Sequence, residues 1–273
     1  MELADARAGG GVEGESAHAA ALLSVDGVTV RFGGVTALEH VSFEVFAGAI
    51  CGLIGPNGAG KTTLFNCISR LYDPNAGSIY FDRRPLASFA RHEIAALGIA
   101  RTFQNLALFS TMTTRDNVRV GAHALARGGF VADALAAPLA RSEERRVAER
   151  ADALIEEFGL QGVADRRVGE LPFAVRKRVE LARALAIRPK LLLLDEPASG
   201  LNHDEVDGLS EEIRAIRDRR GVAILLVEHH MNLVMRVSDQ VVALDFGRVI
   251  ANGRPNEVKA NREVVRAYLG SAA

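Results

Sequence analysis

The sequence predicts an α/β fold built around a largely parallel β-sheet. Short apolar segments alternate with Ala-rich or amphipathic segments, which is the pattern of βαβ units. A Gly-rich turn separates the apolar segment 50–54 from a helical stretch. Of the 273 residues, 48% are hydrophobic and 25% are charged, and the formal net charge is −1, which together indicate a globular chain rather than a disordered one.

The balance of 33 basic and 34 acidic residues argues against a dedicated nucleic-acid-binding protein. No apolar run approaches the ~18 residues that a membrane-spanning helix needs, and the start of the chain lacks the basic-then-apolar order of a secretory signal. Any membrane role is therefore expected to depend on partner subunits. Cys51 and Cys67 are predicted to be buried, reduced thiols.

The elements follow in order along the chain. Residues 1–20 carry almost no bulky apolar side chains and are predicted to be a disordered tail, so that the folded domain comprises residues 21–273. Strands are predicted at 22–32 and 38–46, around a turn at Gly33-Gly34, and at 50–54, 191–194 and 223–227. Helices are predicted at 61–71, 124–158, 173–186 and 204–219, with two short helices within 255–268.

A nine-residue segment, Gly55-Pro-Asn-Gly-Ala-Gly-Lys-Thr-Thr63, fits the phosphate-binding pattern G-x-x-x-x-G-K-[ST]. Its small residues let backbone N–H groups approach a polyphosphate, and the following helix N-terminus attracts negative charge. We expect Lys61 to contact the terminal phosphates and Thr62 to bind Mg²⁺. A chance Gly-rich turn is the alternative, and the strand before it and the helix after it argue against that. The predicted nucleotide-binding residues here are Gly55, Asn57, Gly58, Ala59, Gly60, Lys61, Thr62 and Thr63.

Two acidic residues, Asp195 and Glu196, follow the apolar strand at 191–194. Ligands bind at the carboxyl ends of strands in open α/β sheets, so these acids are expected beside the phosphate loop. Asp195 would then hold Mg²⁺, and Glu196 would polarise the attacking water. The alternative, in which the acids cap a helix, is weak because Pro197 follows directly.

In this order the motifs resemble those of the nucleotide-binding subunit of an ABC transporter, over residues 22–270. The remaining matches are Phe32 at the adenine-contacting aromatic, Gln104 in the Q-loop, 171–185 in the signature region, 198–202 in the D-loop and His229 at the switch histidine. The resemblance implies a P-loop NTPase (RecA-like) core with an antiparallel β-subdomain and a helical subdomain at about 106–187. It also implies that Glu196, His229 and Gln104 are catalytic, and that Thr62, Gln104 and Asp195 bind the metal.

Some of these residues have other readings. Phe32 could simply pack in the β-subdomain, Gln104 could be a surface amide, and His229 could cap the helix that begins near Met231. His230, where the family often has Asp, is expected to lie behind the site or to face solvent. His203 and His123 are expected at the surface.

The sequence departs from the family pattern at the signature, which usually reads Leu-Ser-Gly-Gly-Gln and here reads Leu171-Pro-Phe-Ala-Val175. Pro172 supplies neither a hydroxyl nor an N–H group. Ala174 keeps its N–H but is expected to lose the freedom of glycine at positive φ. The contribution of this segment to a partner's ATP is therefore expected to be weakened. In the D-loop, Asn202 replaces Asp.

Within the superfamily, the chain is similar to the LivG-like ATPases of branched-chain amino-acid uptake systems. The similarity lies in segment 101–113, in an inserted stretch near 124–147 and in the residues that follow Glu228. This implies an ATP- and Mg²⁺-dependent ATPase on the cytoplasmic face of the bacterial inner membrane. Its implied partners are a second ABC ATPase, either a paralogue or an identical copy, two transmembrane permease subunits and, indirectly, a substrate-binding protein. A lipopolysaccharide-export-type ATPase and a non-transport ABC ATPase remain as alternatives.

Overall fold

The computed structural model describes residues 21–103, 106–123 and 138–270, and these residues form two sheets with helices packed around them. The smaller sheet is antiparallel and has the strand order β2–β1–β4–β5. Its strands are β1 (Ala21–Phe32), β2 (Val35–Phe46), β4 (Ala76–Phe81) and β5 (Arg84–Pro85). The predicted tail at 1–20 lies outside the described residues, and the division of the chain at residue 21 stays a prediction.

The larger sheet has the order β10–β9–β3–β8–β7–β6 and is parallel except for β10 at its edge. The predicted parallel sheet is therefore confirmed. Its strands are β3 (Ile50–Ile54), β6 (Ile99–Arg101), β7 (Leu191–Asp195), β8 (Ala223–Val227), β9 (Gln240–Asp245) and β10 (Arg248–Gly253).

Alternate side chains of the central strands enter two different cores, as the two-residue period of a strand requires. In β3, Ile50 and Ile54 face one core, which includes helical residues such as Leu154. Cys51 and Leu53 face the other, which includes the smaller sheet. These strands are thus covered on both faces, which explains why they read as continuous apolar runs.

The helices connect the strands and cover the sheets. They are α1 (Lys61–Ile68), α2 (Ile94–Leu97), α3 (Thr114–His123), α4 (Pro138–Glu157), α5 (Phe173–Leu185), α6 (His203–Arg220), α7 (Met231–Val237), α8 (Pro255–Ala260) and α9 (Arg262–Gly270). Helices α3, α4 and α5 lie between β6 and β7 in the sequence, and α3 packs against both of the others to form a helical layer. The predicted helical stretch at 124–137 lies outside the described residues.

One helix boundary was predicted too far along the chain. Helix α1 ends at Ile68 rather than Leu71, because the backbone turns back before the Asp73-Pro74 pair is reached. The N–H groups of Leu71 and Tyr72 both donate to the carbonyl of Asn66, and Arg70, directly before them, adopts a positive φ of 58°. This local reversal, rather than the proline, ends the helix.

Both cysteines are buried free thiols, as predicted. Burial raises the pKa of Cys51 to about 12 and that of Cys67 to about 11. Within residues 21–103, 106–123 and 138–270, none of the helices combines the length and apolar character that crossing a bilayer demands.

Candidate functional site

The phosphate-loop segment lies between β3 and α1, in the context that its sequence predicts. Gly55 begins the loop at a φ of 152°, and a Cβ atom there would lie 2.3 Å from the carbonyl oxygen of Leu244. Gly60 precedes α1 at a φ of 102°, and a Cβ atom there would lie 2.6 Å from the carbonyl oxygen of Ala37. Both positions therefore require glycine on steric grounds.

The side chain of Lys61 lies folded onto its own loop. Its Nζ donates to the carbonyl oxygens of Gly55 at 2.7 Å and Pro56 at 2.9 Å, and the residue is only 8% exposed. Burial lowers the pKa of Lys61, and the carboxylates of Glu196 and Asp195 oppose that shift. These two acids, over 130 positions away in sequence, thus lie within electrostatic range of the loop.

The other predicted loop residues differ in accessibility. Asn57, Gly58 and Thr62 are exposed, Thr63 is half-buried, and Ala59 is buried against the core. The loop therefore presents its polar groups outward at the start of α1, where backbone N–H groups have no partner in the helix. This is a suitable surface for a polyphosphate.

Asp195 ends β7 and forms a buried ion pair that the sequence did not reveal. The Nη2 atom of Arg101, which ends the neighbouring strand β6, lies 2.8 Å from its Oδ2 atom, and the two side chains are 10% and 8% exposed. Arg101 also donates to Asn66 on α1, at 2.8 Å. Its guanidinium also lies over the rings of Phe65 and Phe103, at 5.5 Å and 5.1 Å from their centroids. This arginine therefore joins the strand edge to α1.

Glu196 has an unusual backbone conformation, with φ at 47°. This region is disfavoured for residues other than glycine, and such strain is concentrated at functional sites. Its N–H donates to the carbonyl of Val227 at the end of β8, at 2.9 Å. The alternative in which these acids cap a helix is wrong, because the next helix, α6, is capped by Asn202 through a reciprocal bond with Glu205.

His229 follows β8 and faces Glu196, with 3.9 Å between its Nδ1 atom and the Oε2 atom of the glutamate. The side chain is 53% exposed. The neighbouring His230 is also exposed, and its ring lies against that of His229 at a tilt of 37°, with centroids 4.5 Å apart. The helix-capping reading of His229 is wrong, because the N-cap position of α7 is His230 and its side chain makes no capping bond. His203 is exposed as expected, whereas the side chain of His123 lies outside the described residues.

Glu228 is a residue whose importance the sequence reasoning missed. Its carboxylate is fully buried and accepts N–H bonds from Ala198, His229 and His230. A charged residue at the end of an otherwise apolar strand, at the same edge of the sheet as Asp195, was the available signal. Ligand atoms of Glu228, His229 and His230 lie within 4.8 Å of one another, but the bound N–H groups already occupy both carboxylate oxygens.

Tyr268 is a second missed residue. Its hydroxyl, on the C-terminal helix α9, accepts the N–H of Gly55 at 2.8 Å, across 213 positions of sequence. Burial raises the pKa of this phenol. Nothing in the local pattern of α9 points to the phosphate loop, because the contact depends on how the two ends of the chain meet.

Of the two remaining predicted residues, Phe32 lies within the described part of the chain and Gln104 does not. Phe32, at the end of β1, is 46% exposed and lies edge-on to Tyr72, with ring centroids 5.2 Å apart. The ring is therefore accessible rather than packed in the smaller sheet. Gln104 lies outside the described residues, and its role stays a prediction.

At the signature segment, Pro172 is the N-cap residue of α5, and Leu171 before it is buried. Ala174 lies in the first turn of this helix and does not have a positive φ, so the conformational freedom of glycine that it lacks is not needed at this position. The missing hydroxyl and N–H of Pro172 remain as the differences from the family pattern.

Comparison with known proteins agrees with this arrangement. Residues 38–199 match the family model for ABC transporters, and residues 248–273 match a model described as branched-chain amino acid ATP-binding cassette transporter. The chain is 41% identical to BraF of Pseudomonas aeruginosa and 40% identical to LivG of Escherichia coli. Both are high-affinity branched-chain amino acid transport ATP-binding proteins. Each alignment covers 92% of this chain and 98% of the relative.

Solved structures give the same result. A nucleotide-free ATP-binding cassette from an ABC transporter superposes with a TM-score of 0.78 at 28% identity, over 91% of this chain and 99% of that one. The ADP conformation of an ATP-binding cassette gives 0.78 at 29% identity, over 92% and 99%. The predicted P-loop NTPase core of the ABC type is confirmed. The chain belongs to the ABC transporter family of ATP-binding-cassette ATPases, which bind nucleotide and hydrolyse ATP, and within it to the group that contains BraF and LivG.

Proposed function

We propose that this chain energises an importer of branched-chain or other hydrophobic amino acids. The observation that carries this proposal is the similarity to BraF and LivG along 92% of the chain, reinforced by the C-terminal match at 248–273. These relatives favour an importer over the two alternatives, a lipopolysaccharide-export ATPase and a non-transport ABC ATPase. Uptake of radiolabelled leucine by cells that lack the gene, with and without complementation, tests the substrate class. Undiminished uptake would contradict it.

In this proposal the phosphate loop holds the ATP phosphates. The backbone N–H groups of residues 58–63 and the N-terminus of α1 supply positive potential, and Lys61 moves from its own loop carbonyls to the terminal phosphates. Phe32 provides an accessible ring on which adenine stacks. Thr62, Gln104 and Asp195 offer only oxygen ligands, which fits Mg²⁺. When bound, the metal would neutralise charge on the phosphates.

Hydrolysis in this proposal depends on Glu196. Its carboxylate polarises the attacking water, and His229 and Gln104 position the reacting groups around the terminal phosphate. His229 is suitably placed because its Nδ1 atom lies 3.9 Å from Glu196 and its ring is accessible. Glu196 also has a positive φ of 47°, and backbone strain of this kind is concentrated at functional sites.

The variant Glu196→Gln tests this role. It keeps the size of the side chain and removes the base, so turnover should fall by roughly 10²-fold or more while ATP still binds. Phosphate release and fluorescent-nucleotide titration measure the two quantities. Glu211→Gln, an exposed acid on α6, is the matched control and should leave both unchanged. Near-normal turnover in Glu196→Gln would mean that the base lies elsewhere.

We further propose that two such subunits bind two ATP molecules between them and dock onto two transmembrane permeases at the cytoplasmic face of the membrane. A groove of about 350 Å³ lies between α2, α3 and the end of β6, beside the predicted Q-loop. Its rim carries the exposed apolar side chains of Leu71, Phe103 and Val120. Such a groove suits an amphipathic helix from a membrane subunit. A substrate-binding protein would deliver the amino acid on the opposite side.

The altered signature predicts unequal ATP sites if the second ATPase is a paralogue with an ordinary signature. The site built on this chain's phosphate loop would be completed by an intact signature, whereas Pro172 would deprive the opposite site of a hydroxyl contact. In the assembled transporter, Glu196→Gln should then reduce ATP hydrolysis more than the matching change in the partner. Equal losses would exclude this asymmetry.

A further inference from the structure

The carboxylate of Glu228 connects two loops that carry proposed catalytic residues. Glu228 follows β8 directly and is 0% exposed. Its Oε1 atom accepts the N–H of Ala198, in the loop after β7, at 2.7 Å. Its Oε2 atom accepts the N–H groups of His229 at 2.9 Å and His230 at 3.1 Å, in the loop after β8. One side chain therefore bonds to both loops.

These bonds also supply the compensation that a buried charge requires. An ionised carboxylate is costly to bury unless hydrogen bonds replace its water, and bonds to a charged acceptor are the strongest available. The three N–H donors all come from the two loops, while His229 Nδ1 lies farther away, at 3.8 Å. If only packing were required, an apolar side chain of similar size would serve as well or better. The charge is useful because it orients the backbone of both loops.

The consequence for Glu196 is geometric. Ala198 lies two residues after Glu196, whose backbone is held at a φ of 47°. A strained conformation persists only where its surroundings determine it. The N–H of Glu196 is fixed to Val227 on one side, and the N–H of Ala198 is fixed to Glu228 on the other. The Glu196 backbone is thus held from both directions by the end of β8.

We propose that Glu228 is a positioning residue for ATP hydrolysis, since its buried carboxylate sets the spacing between Glu196 and His229. This inference rests on the proposed roles of those two residues. Glu228 touches neither ATP nor water in this scheme. It acts through the backbone of Ala198 and of the two histidines.

The variant Glu228→Gln tests the proposal. Glutamine has nearly the same volume, but one carboxylate oxygen becomes an NH₂ group, which cannot accept a hydrogen bond. Whichever way the amide turns, at least one of the three N–H groups faces another donor. A displacement of about 1 Å at a catalytic group can cost roughly 10²-fold in rate, so kcat should fall roughly 10- to 100-fold. KM and the affinity for ATP should not change, because the phosphate loop is untouched.

The matched control is Asp239→Asn. The Oδ2 atom of Asp239 also accepts a backbone N–H at a strand end, that of Ile50 at 2.8 Å, but at the amino end of β3, away from the proposed site. This variant should keep the normal kcat. Glu228→Asp is the second variant, because it keeps the charge while being too short by one methylene to reach Ala198. It should also lose kcat, and it keeps the proposal testable if Glu228→Gln does not fold.

The measurements are phosphate release by the purified full-length chain, fluorescent-nucleotide titration and thermal unfolding. A normal kcat in folded Glu228→Gln or Glu228→Asp, with only a lowered unfolding temperature, would overturn the proposal and leave Glu228 a purely structural residue. Glu196→Gln, measured alongside, separates the two levels of inference. If it retains turnover, the proposed catalytic role of Glu196 fails; if it abolishes turnover while the Glu228 variants remain normal, only the positioning role of Glu228 fails.

Discussion

Replacing Arg101 with methionine should destabilise the nucleotide-free chain severely. The substitution preserves an unbranched side chain but removes the charge that faces Asp195 across 2.8 Å, in a setting where the two side chains are 10% and 8% exposed. Removing one partner of a buried ion pair leaves the other charge uncompensated, which costs about 3–5 kcal/mol. The lost hydrogen bond to Asn66 and the lost contacts with the two flanking aromatic rings act in the same direction.

The loss should be smaller when Mg²⁺ and ATP are bound. In the proposed site Asp195 then lies beside a divalent cation, so that part of the missing positive charge is restored. By linkage, a ligand that binds the folded variant more tightly than the folded wild type also stabilises the variant more. We expect Mg²⁺-ATP to reduce the loss of unfolding free energy in Arg101→Met by at least about 1.4 kcal/mol. This corresponds to a tenfold difference between the variant and the wild type in relative affinity for the ligand.

Urea unfolding of the full-length chain, with and without Mg²⁺-ATP, measures both quantities. The control is Lys190→Met, which removes an ion pair to Asp82 whose side chains are 55% and 44% exposed. Exposed pairs contribute between zero and about 1 kcal/mol. If Arg101→Met costs no more than Lys190→Met, the buried pair is not stabilising. An equal loss in both conditions would refute the link between Asp195 and the metal.

Three further outcomes follow from individual contacts. Tyr268→Phe removes only the hydroxyl that accepts the Gly55 N–H. Loss of one hydrogen bond of roughly 1 kcal/mol should weaken ATP binding about fivefold in a fluorescent-nucleotide titration. The control, Tyr80→Phe on the smaller sheet, should not change ATP binding. Lys61→Ala removes charge-assisted contacts of roughly 1.5–3 kcal/mol each and should weaken ATP binding at least tenfold; normal affinity would exclude its assigned role. Burial raises the pKa of Glu180 above its ordinary 4.5, so this carboxyl binds protons more tightly in the folded state than in the unfolded state. Its ionisation therefore lowers stability as pH rises above about 4.5. Glu180→Gln should thus be more stable than wild type in urea at pH 7, and this advantage should vanish below pH 4.5; a pH-independent difference would contradict it.

The local elements of this protein could be read from the sequence because their signals are local. A strand, a Gly-rich turn and a helix follow one another within 50–68, and each has a pattern that does not depend on the rest of the chain. The buried strands β7 and β8 were predicted for the same reason. Strand β9 was not predicted, because a short apolar run can also be a buried helix segment.

The contacts that shape the site could not be read in the same way. The bond between Tyr268 and Gly55 and the ion pair between Arg101 and Asp195 each join segments more than 90 residues apart. Such contacts depend on strand order, since β3, β7 and β8 are neighbours in the sheet although helices separate them in the chain.

The order of strands also explains why the site can hold a strained glutamate. The loops after β3, β7 and β8 emerge at one edge of the sheet. The Tyr268 hydroxyl fixes the first loop, the Arg101 guanidinium fixes Asp195 at the end of β7, and the Glu228 carboxylate, at the start of the loop after β8, bonds to the loop after β7. Glu196 lies between the second and third of these attachments. Its left-handed backbone therefore depends on contacts made by residues that need not touch ATP. Loss of the Glu228 contact should impair turnover before it unfolds the sheet, because the strands themselves remain buried on both faces.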